Sequence, residues 1–263
     1  METSPPSPPE GTQLALIEAG LRLFGQQGFA ATSVRQIALA AGANIAAIAY
    51  HFGGKDGLRL ACAEEFGRRM STAMATAPGR PASSATEARA ALQDILRAML
   101  SFLLGDRGAG ALVPFMLREL AENGPGLDLV YRSFAEPSHS RLCALWGLAT
   151  GTDPEADATR LAVFTLIGQL MYFRIGRDIV ARRMGWATVD AAGIAQIADR
   201  ITRNLDAMLD TEAWRTESPA IAVERLLRGL RAATRRVDDV EQEANRLRSN
   251  VAAWVDERTR SDR

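Results

Sequence analysis

Polar side chains between residues 35 and 55 are of types that bind the bases and phosphates of nucleic acid. Arg35 could bond O6 and N7 of a guanine together, and Asn44 could bond an adenine edge or a phosphate. Tyr50 and His51 could donate hydrogen bonds to phosphate oxygens. Lys55 adds a cation at the end of the segment. The chemistry that these residues indicate is contact with a DNA duplex.

Lys55 is the only lysine in a chain whose other fixed cations are all arginine. It follows Gly53 and Gly54 at the predicted start of a helix, where a cation opposes the helix dipole and does not stabilise the helix. Free N-terminal amides, two glycines and an ammonium group together favour an anion site, and a DNA backbone phosphate is such an anion. A surface lysine without function is the alternative.

The elements that would position these residues are two short helices, a glycine turn between them and a third helix, all within residues 32–58. Ser33 and Gln36 form a capping-box pattern at the first helix start, and Gly42 is a suitable left-handed residue at its end. Asn44 can cap the second helix. This arrangement predicts a helix-turn-helix, whose second helix enters the major groove. An ordinary packed helical pair is the alternative.

The second helix of this motif has two distinct faces. Ala46 and Ala47 are small enough for the backbone to approach the bases and for a methyl group to touch a thymine methyl. Ile48 and Phe52, four residues apart, are predicted to face the core. Tyr50 would then lie on the outer side.

Length and composition indicate a soluble, cytoplasmic and mostly helical protein. The chain has 263 residues, 47% of them hydrophobic, and its 31 basic residues balance 31 acidic ones. A DNA-binding protein without a basic excess depends on local cations such as Arg22, Arg35 and Lys55. Cys62 and Cys143 offer neither a metal-ligand spacing nor a disulfide framework and are expected to be buried thiols.

Four segments are predicted along the chain. Residues 1–11 are a disordered arm without the features of a targeting signal, and residues 12–57 are the DNA-binding domain. Residues 58–212 form a second helical domain, and residues 219–263 form a patterned C-terminal helix. The longest apolar stretch, Leu161–Phe173, is too short to span a membrane.

Helical periodicity without competing strand patterns predicts an all-α fold. The predicted helices are Gln13–Gln27, Lys55 to about Ala75, Thr86–Leu104, Val113–Glu122, Leu127–Leu148, Glu155–Met184 and Val189–Leu209, besides the two short helices of the motif.

The run from Gln13 to Phe66, with its helix ending in YHF and its glycine-bracketed lysine, resembles the N-terminal domain of the tetracycline-repressor (TetR) family. The segments AGANIAAIAYHFGGKDGL and FTLIGQLMYFRIGRDIVARRMGW are similar to the CecR-like subgroup of those regulators. Most relatives carry a polar or basic residue at the start of the recognition helix and a threonine two positions on. This chain has Ile45 and Ala47 there, which leaves fewer polar base contacts.

The resemblance implies a ligand-responsive transcriptional regulator. Such a protein would bind a palindromic double-stranded DNA operator as a homodimer, act as a repressor and be released by an unidentified small molecule, with no cofactor and no membrane partner. Carried over by position, it assigns DNA contacts to Thr32, Ser33, Arg35, Asn44, Ile45, Ala46, Ala47, Tyr50, His51 and Lys55. Among these, Arg35 is the predicted guanine contact, and a plain surface arginine is the alternative.

The second domain of such a regulator needs an effector cavity and a dimer face. In the family, the last two helices of this domain form the dimer interface, and the apolar candidates here are Leu161, Phe164, Ile167, Leu170, Met171, Ile194, Ile197, Ile201 and Leu205. The weak candidates for effector binding are Met99, Phe102, Phe115, Met116, Glu119, Tyr131, His139 and Tyr172. For both sets, packing within the domain core is the alternative.

Two other classes of function are alternatives to regulation. An enzyme is disfavoured because His139 between Ser138 and Ser140 is only adjacency in sequence, and the chain has neither a GxSxG elbow nor a metal-ligand cluster. A helical interaction scaffold with a vestigial DNA-binding motif is the other alternative. It predicts that the isolated N-terminal domain binds no DNA.

The C-terminal tail departs from the resemblance because it carries a strict heptad of apolar residues. One seam position is occupied by Val223, Leu230, Val237, Ala244 and Val251, and the other by Leu226, Ala233, Val240, Leu247 and Trp254. This period favours a left-handed coiled coil with a second copy. One amphipathic helix against its own bundle is the alternative.

Overall fold

Helices make up the regular structure of the described residues, and no strand occurs among them. The computed structural model describes residues 11–75, 81–105 and 109–216. In chain order the helices are α1 (Thr12–Gln27), α2 (Val34–Ala40), α3 (Ala46–Phe52), α4 (Lys55–Met74), α5 (Ala85–Leu104), α6 (Leu112–Glu122), α7 (Gly126–Val130), α8 (Glu136–Thr150), α9 (Asp157–Ile175), α10 (Arg177–Met184) and α11 (Ala191–Thr216). The predicted all-α class is confirmed.

Helix α1 braces the N-terminal part of the molecule. Leu16, Leu21 and Phe24 on its apolar side are almost fully buried, and the helix contacts α2, α3, α4 and α6. It ends as predicted at Gly28, which has a φ of 84° and donates its N–H to the Phe24 carbonyl at 2.9 Å. The same helix therefore touches both the predicted helix-turn-helix and the second domain.

Helix α4 connects the two domains without a break. It begins at Lys55, so the predicted domain boundary after residue 57 falls inside this helix. It contacts α1 and α3 as well as α5, α6 and α7. Its buried Cys62 thiol lies 3.6 Å from the Ile17 carbonyl oxygen, and burial raises the pKa of this thiol. Cys143 is buried too, so the expectation of two buried thiols is confirmed.

Helices α5, α8, α9 and α11 form the core of the second domain. Leu92, Ile95 and Trp146 are almost fully buried between them. Polar contacts also join these helices: Gln93 Nε2 donates to Asp206 Oδ1 at 2.8 Å between α5 and α11. None of the described helices is both long enough and apolar enough to cross a membrane.

The predicted helix Leu127–Leu148 is not a single regular α-helix. A π-helical turn, Tyr131–Ala135, separates α7 from α8, and the Glu136 N–H bonds to the Tyr131 carbonyl. Pro137 explains the widened turn, because proline has no N–H and its ring would clash with the carbonyl four residues earlier in a regular helix.

The predicted helix Glu155–Met184 is likewise interrupted, at Gly176. Helix α9 ends at Ile175 and α10 begins at Arg177. The Gly176 N–H still bonds to the Tyr172 carbonyl at 2.7 Å, but glycine is a poor helix former because it loses the most backbone entropy.

The predicted arm at residues 1–11, except Gly11, and the heptad residues of the tail lie outside the described residues.

Candidate nucleic-acid interface

The ends of α2 are fixed by the local hydrogen bonds that its sequence predicts. The Gln36 N–H donates to Ser33 Oγ at 3.2 Å, and the Ser33 N–H donates to Gln36 Oε1 at 2.8 Å. At the other end Gly42 has a φ of 62°, and the Ala43 N–H donates to the Ala38 carbonyl at 2.9 Å. The capping box and the left-handed glycine therefore set the turn between α2 and α3.

The recognition helix α3 begins beside Asn44. The N-cap of α3 is Ile45, and the Asn44 side-chain oxygen just before it accepts a hydrogen bond from the Ala46 N–H at 2.9 Å. Asn44 itself is exposed. Ile48 is 2% exposed and Phe52 is half-buried, so both face the core as predicted. Ala47 is also half-buried and packs against the core.

The opposite side of α3 is open to solvent. Tyr50 is 85% exposed and Ile45 is 49% exposed, while Ala46 and His51 are exposed as well. The rings of Tyr50 and His51 meet edge to face with centroids 4.9 Å apart. This side thus presents a small apolar surface at the start of the helix and two polar aromatic residues near its end.

Three glycines shape the tight connection from α3 to α4. Gly53 and Gly54 have φ values of 70° and 131°, which other residues rarely adopt. A Cβ atom at Gly57 would overlap the Phe52 carbonyl oxygen, so only glycine lets the first turn of α4 come this close to α3. The connection places Lys55 next to the exposed end of the recognition helix.

The Lys55 ammonium group lies over an aromatic ring. Its Nζ is 4.1 Å from the centroid of the Phe29 ring, and Arg59 Cζ is 4.4 Å from the same centroid. No carboxylate pairs with Lys55 within the described part of the chain. Neither Phe29 nor Arg59 is predicted from the sequence as part of this site. The available signals were the aromatic residue directly after Gly28 and the arginine one helical turn after Lys55.

The residues before and at the start of α2 divide into two kinds. Thr32 is buried, and its Oγ1 donates to the Gly28 carbonyl at 2.7 Å. It fastens the loop after α1 and has no exposed side chain to offer to DNA. The Ser33 hydroxyl is exposed but engaged in the cap of α2. Arg35 is exposed and has no acidic partner among the residues described.

A buried ion pair joins this site to the second domain. Arg59 of α4 donates from Nε to Glu119 Oε1 at 2.5 Å and from Nη2 to Glu122 Oε2 at 2.9 Å. The second Glu119 oxygen accepts the Gly126 N–H at 3.1 Å. Arg59 and Glu119 are 7% and 2% exposed, so each charge depends on the other for compensation.

The predicted effector-binding residues differ in their surroundings. Tyr131 and Tyr172 are exposed, and Glu119 is engaged by Arg59. The Phe115 ring packs against Phe24 of α1, with centroids 6.5 Å apart. The remaining candidates that pack in or against the apolar core are Met99, Phe102 and Met116.

His139 has contacts that give it no catalytic geometry. Its ring stacks on Phe164 with centroids 4.1 Å apart, and its Nε2 lies 3.2 Å from the Arg160 carbonyl oxygen. Its Nδ1 lies 3.6 Å from Cys143 Sγ, and neither neighbouring serine bonds to the ring in the structure as described. Among the residues described, no group of three or more histidine, cysteine or acidic side chains could hold a metal.

Two family models match the chain. The model described as "Bacterial regulatory proteins, tetR family" matches residues 16–62, which contain α2 and α3. The model described as "HTH-type transcriptional dual regulator CecR, C-terminal domain" matches residues 88–211.

Relatives and solved structures agree with these models. The HTH-type transcriptional dual regulator CecR of Shigella flexneri is 34% identical over 209 residues, covering 76% of this chain and 92% of the relative. AibR, crystallised with isovaleryl coenzyme A and operator DNA, has a TM-score of 0.53 at 19% identity over 73% of this chain and 96% of AibR. A TetR-like regulator from Rhodococcus sp. RHA1 has a TM-score of 0.52 at 21% identity, covering 80% and 97% of the two chains. At these identities the two structures show a shared fold.

Proposed function

This chain belongs to the TetR family of DNA-binding transcriptional regulators, and we propose that it acts as a homodimeric repressor released from a palindromic operator by a small molecule. The observation that carries the DNA-binding role is the open side of α3, together with exposed Arg35 at the start of α2 and Lys55 at the start of α4. A family of regulators also excludes the enzyme alternative. The place of action would be the bacterial cytoplasm, where the DNA lies.

The DNA contacts divide into base contacts and phosphate contacts. Arg35 would bond a guanine, and the exposed methyl groups near Ala46 would meet thymine methyls. Tyr50, His51 and Lys55 would hold backbone phosphates on the same side of the motif. Ile45, Ala47 and the Asn44 amide would lie at the groove, whereas Ser33 would contribute by capping α2, which carries Arg35. Thr32 would act through the loop that it fastens.

The dimer is supported by an apolar stripe on α9 that stays largely exposed among the described residues, although the Phe164 ring stacks on His139. Leu161 and Phe164 are 65% and 58% exposed, and Tyr172 and Ile175 continue the same helical face. An exposed face of this kind marks an interaction site, and a second copy is the partner that a palindromic operator requires. The two DNA-binding domains of the dimer would then contact the two half-sites of the operator. These half-sites would lie one or more DNA helical turns apart, at about 35 Å per turn.

The residues predicted from the sequence for the dimer interface differ in how exposed they are. Leu170, Ile197, Ile201 and Leu205 are at most 5% exposed and belong to the core of the protomer. Their apolar character follows from packing between α9 and α11 rather than from a partner. The proposed interface therefore depends on the outward side of α9.

The effector is proposed to bind between the helices of the second domain, near Met99, Phe102 and Met116. These side chains would accept an apolar molecule, because thioether and phenyl groups adapt to irregular apolar shapes. Binding there would weaken DNA affinity if it favours a different separation of the two DNA-binding domains. The Shigella flexneri relative is named a dual regulator, so activation at some promoters is the second candidate.

Selection of genomic fragments with the purified full chain, followed by footprinting, tests the proposal. We expect a protected site with two inverted half-sites and a protein dimer on the DNA by sedimentation. The matched control is the double variant Arg35→Ala/Lys55→Ala, which should recover no fragment above background. If the unaltered chain also recovers none, the scaffold alternative is favoured.

A further inference from the structure

Phe29 joins the end of α1 to the first turn of α4. It is half-buried, and its ring packs against Phe24 with centroids 5.5 Å apart. Lys55 Nζ and Arg59 Cζ, one helical turn apart on α4, lie 4.1 and 4.4 Å from the ring centroid. The face of an aromatic ring attracts cations at these distances. Phe29 is therefore a shared contact of two cations.

The two cations differ in what else compensates their charge. Arg59 is buried and bonds two carboxylates, at 2.5 Å to Glu119 and 2.9 Å to Glu122. Lys55 is half-buried and has no carboxylate partner in the described ranges. Its contact with the ring of Phe29 is thus the attraction that holds the ammonium, and the charge is left available to an anion from outside.

We propose that Phe29 is a positioning residue for DNA binding, which holds the Lys55 ammonium where a backbone phosphate meets the start of α4. This inference rests on the proposed phosphate contact of Lys55. A free lysine side chain has four rotatable bonds and loses rotamer entropy when it is fixed. A ring that fixes the side chain before DNA arrives lowers this cost of binding.

The contact with the Phe29 ring also leaves the Lys55 ammonium able to bind a phosphate. An ammonium group has three donors and no acceptor, and contact with a ring face does not use all three. The helix N-terminus beside Lys55 contributes further N–H groups that favour an anion. The charge of Arg59, in contrast, is already paired, so a phosphate gains little from it.

A double-mutant cycle tests the proposal with two probes, a fluorescent duplex of the footprinted site and a scrambled duplex. Phe29→Leu keeps an apolar side chain against Phe24 but removes the ring face, whereas Phe29→Tyr keeps the ring. We expect Phe29→Leu to weaken site binding about two- to five-fold per protomer, the strength of an exposed cation–π contact. Phe29→Tyr should bind like the unaltered chain. In a Lys55→Ala background, Phe29→Leu should cause no further loss.

The results separate this inference from the function on which it rests. Lys55→Ala should lower the slope of log affinity against log salt by roughly one per protomer. If it changes neither slope nor affinity, the phosphate contact itself is wrong and the role of Phe29 falls with it. If Lys55→Ala has its effect but Phe29→Leu costs the same with or without Lys55, Phe29 acts only through packing and the inference is overturned. Thermal melting of each variant records that packing contribution separately.

Discussion

At the scale of single residues, the DNA-binding surface combines few polar groups with strict backbone requirements. The exposed side of α3 offers Tyr50 and His51, and Arg35 lies at the start of α2. Because Tyr50 and His51 are proposed to hold phosphates, few side chains are left for base contacts, and each of these should carry a large part of the sequence preference.

Arg35→Ala tests the predicted guanine contact. We expect a loss of about 1 to 3 kcal/mol per half-site and a relaxed preference at one base pair, because a bidentate contact to guanine is removed. Competition binding with a set of operator variants measures both effects. A loss that is equal for every variant would show that Arg35 contacts a phosphate instead.

Glu65 on α4 predicts how stability depends on pH. Burial alone would raise the pKa of its carboxyl, but hydrogen bonds from Arg68 and Arg69 outweigh burial and hold the pKa below its ordinary value. A lowered pKa in the folded state stabilises the protein above the ordinary value of 4.5, and this contribution is lost as the pH falls through the folded pKa.

Urea unfolding between pH 7 and pH 3 checks this prediction with Glu65→Gln. We expect the unaltered chain to be more stable than the variant at pH 7, and the difference to shrink below the ordinary pKa of 4.5. Glu64→Gln, at an exposed neighbouring position, is the matched control and should show no such trend. A difference that stays constant over this range would contradict the role of the Glu65 carboxylate.

At the scale of helices, local sequence signals predict the N-terminal helices well. The features that these signals do not predict depend on contacts between distant parts of the chain. Ser33, Gly42 and Gly53 act through their own backbone neighbourhood, so sequence alone could place the helix ends. The contact of Lys55 with Phe29 and the pairing of Arg59 with Glu119 join distant parts of the chain, and no spacing rule reports them. Pro137 is a clear signal of an interrupted helix. The π-helical turn before it is nevertheless not predicted, because the apolar helical pattern continues through it.

The contact between α1 and α6 gives a prediction at this scale. A Cβ atom at Gly25 would lie 2.8 Å from the Phe115 backbone nitrogen, which cannot move aside as a flexible side chain could. Gly25→Ala should therefore lower the free energy of unfolding by about 1 to 3 kcal/mol through overpacking. Urea unfolding measures the loss. Gly110→Ala, where an added Cβ meets nothing within 4 Å, is the control and should be close to neutral.

At the scale of the whole molecule, the outward side of α9 is proposed to set the oligomeric state. Leu161→Asp/Phe164→Asp would place two carboxylates in the dimer interface, where burial of unpaired charges is costly. We expect monomers by sedimentation and a strong loss of operator affinity, with helicity by circular dichroism unchanged. Tyr131→Asp, at a similarly exposed aromatic residue off this stripe, should leave the dimer intact. A stable dimer of the double variant would place the interface elsewhere.

The tail gives the last prediction, because its heptad offers a second possible dimer contact. The α9 stripe lies well before the tail, so truncation after about Ser218 should leave a dimer that still binds the operator. Sedimentation measures the first property and binding to the footprinted duplex measures the second. A coiled coil of the tail would then add stability to a dimer that already exists. The truncated chain should therefore have a somewhat higher dimer dissociation constant than the full chain. Monomers at every concentration tested would instead make the heptad the main dimer contact, and the outward side of α9 would need another partner.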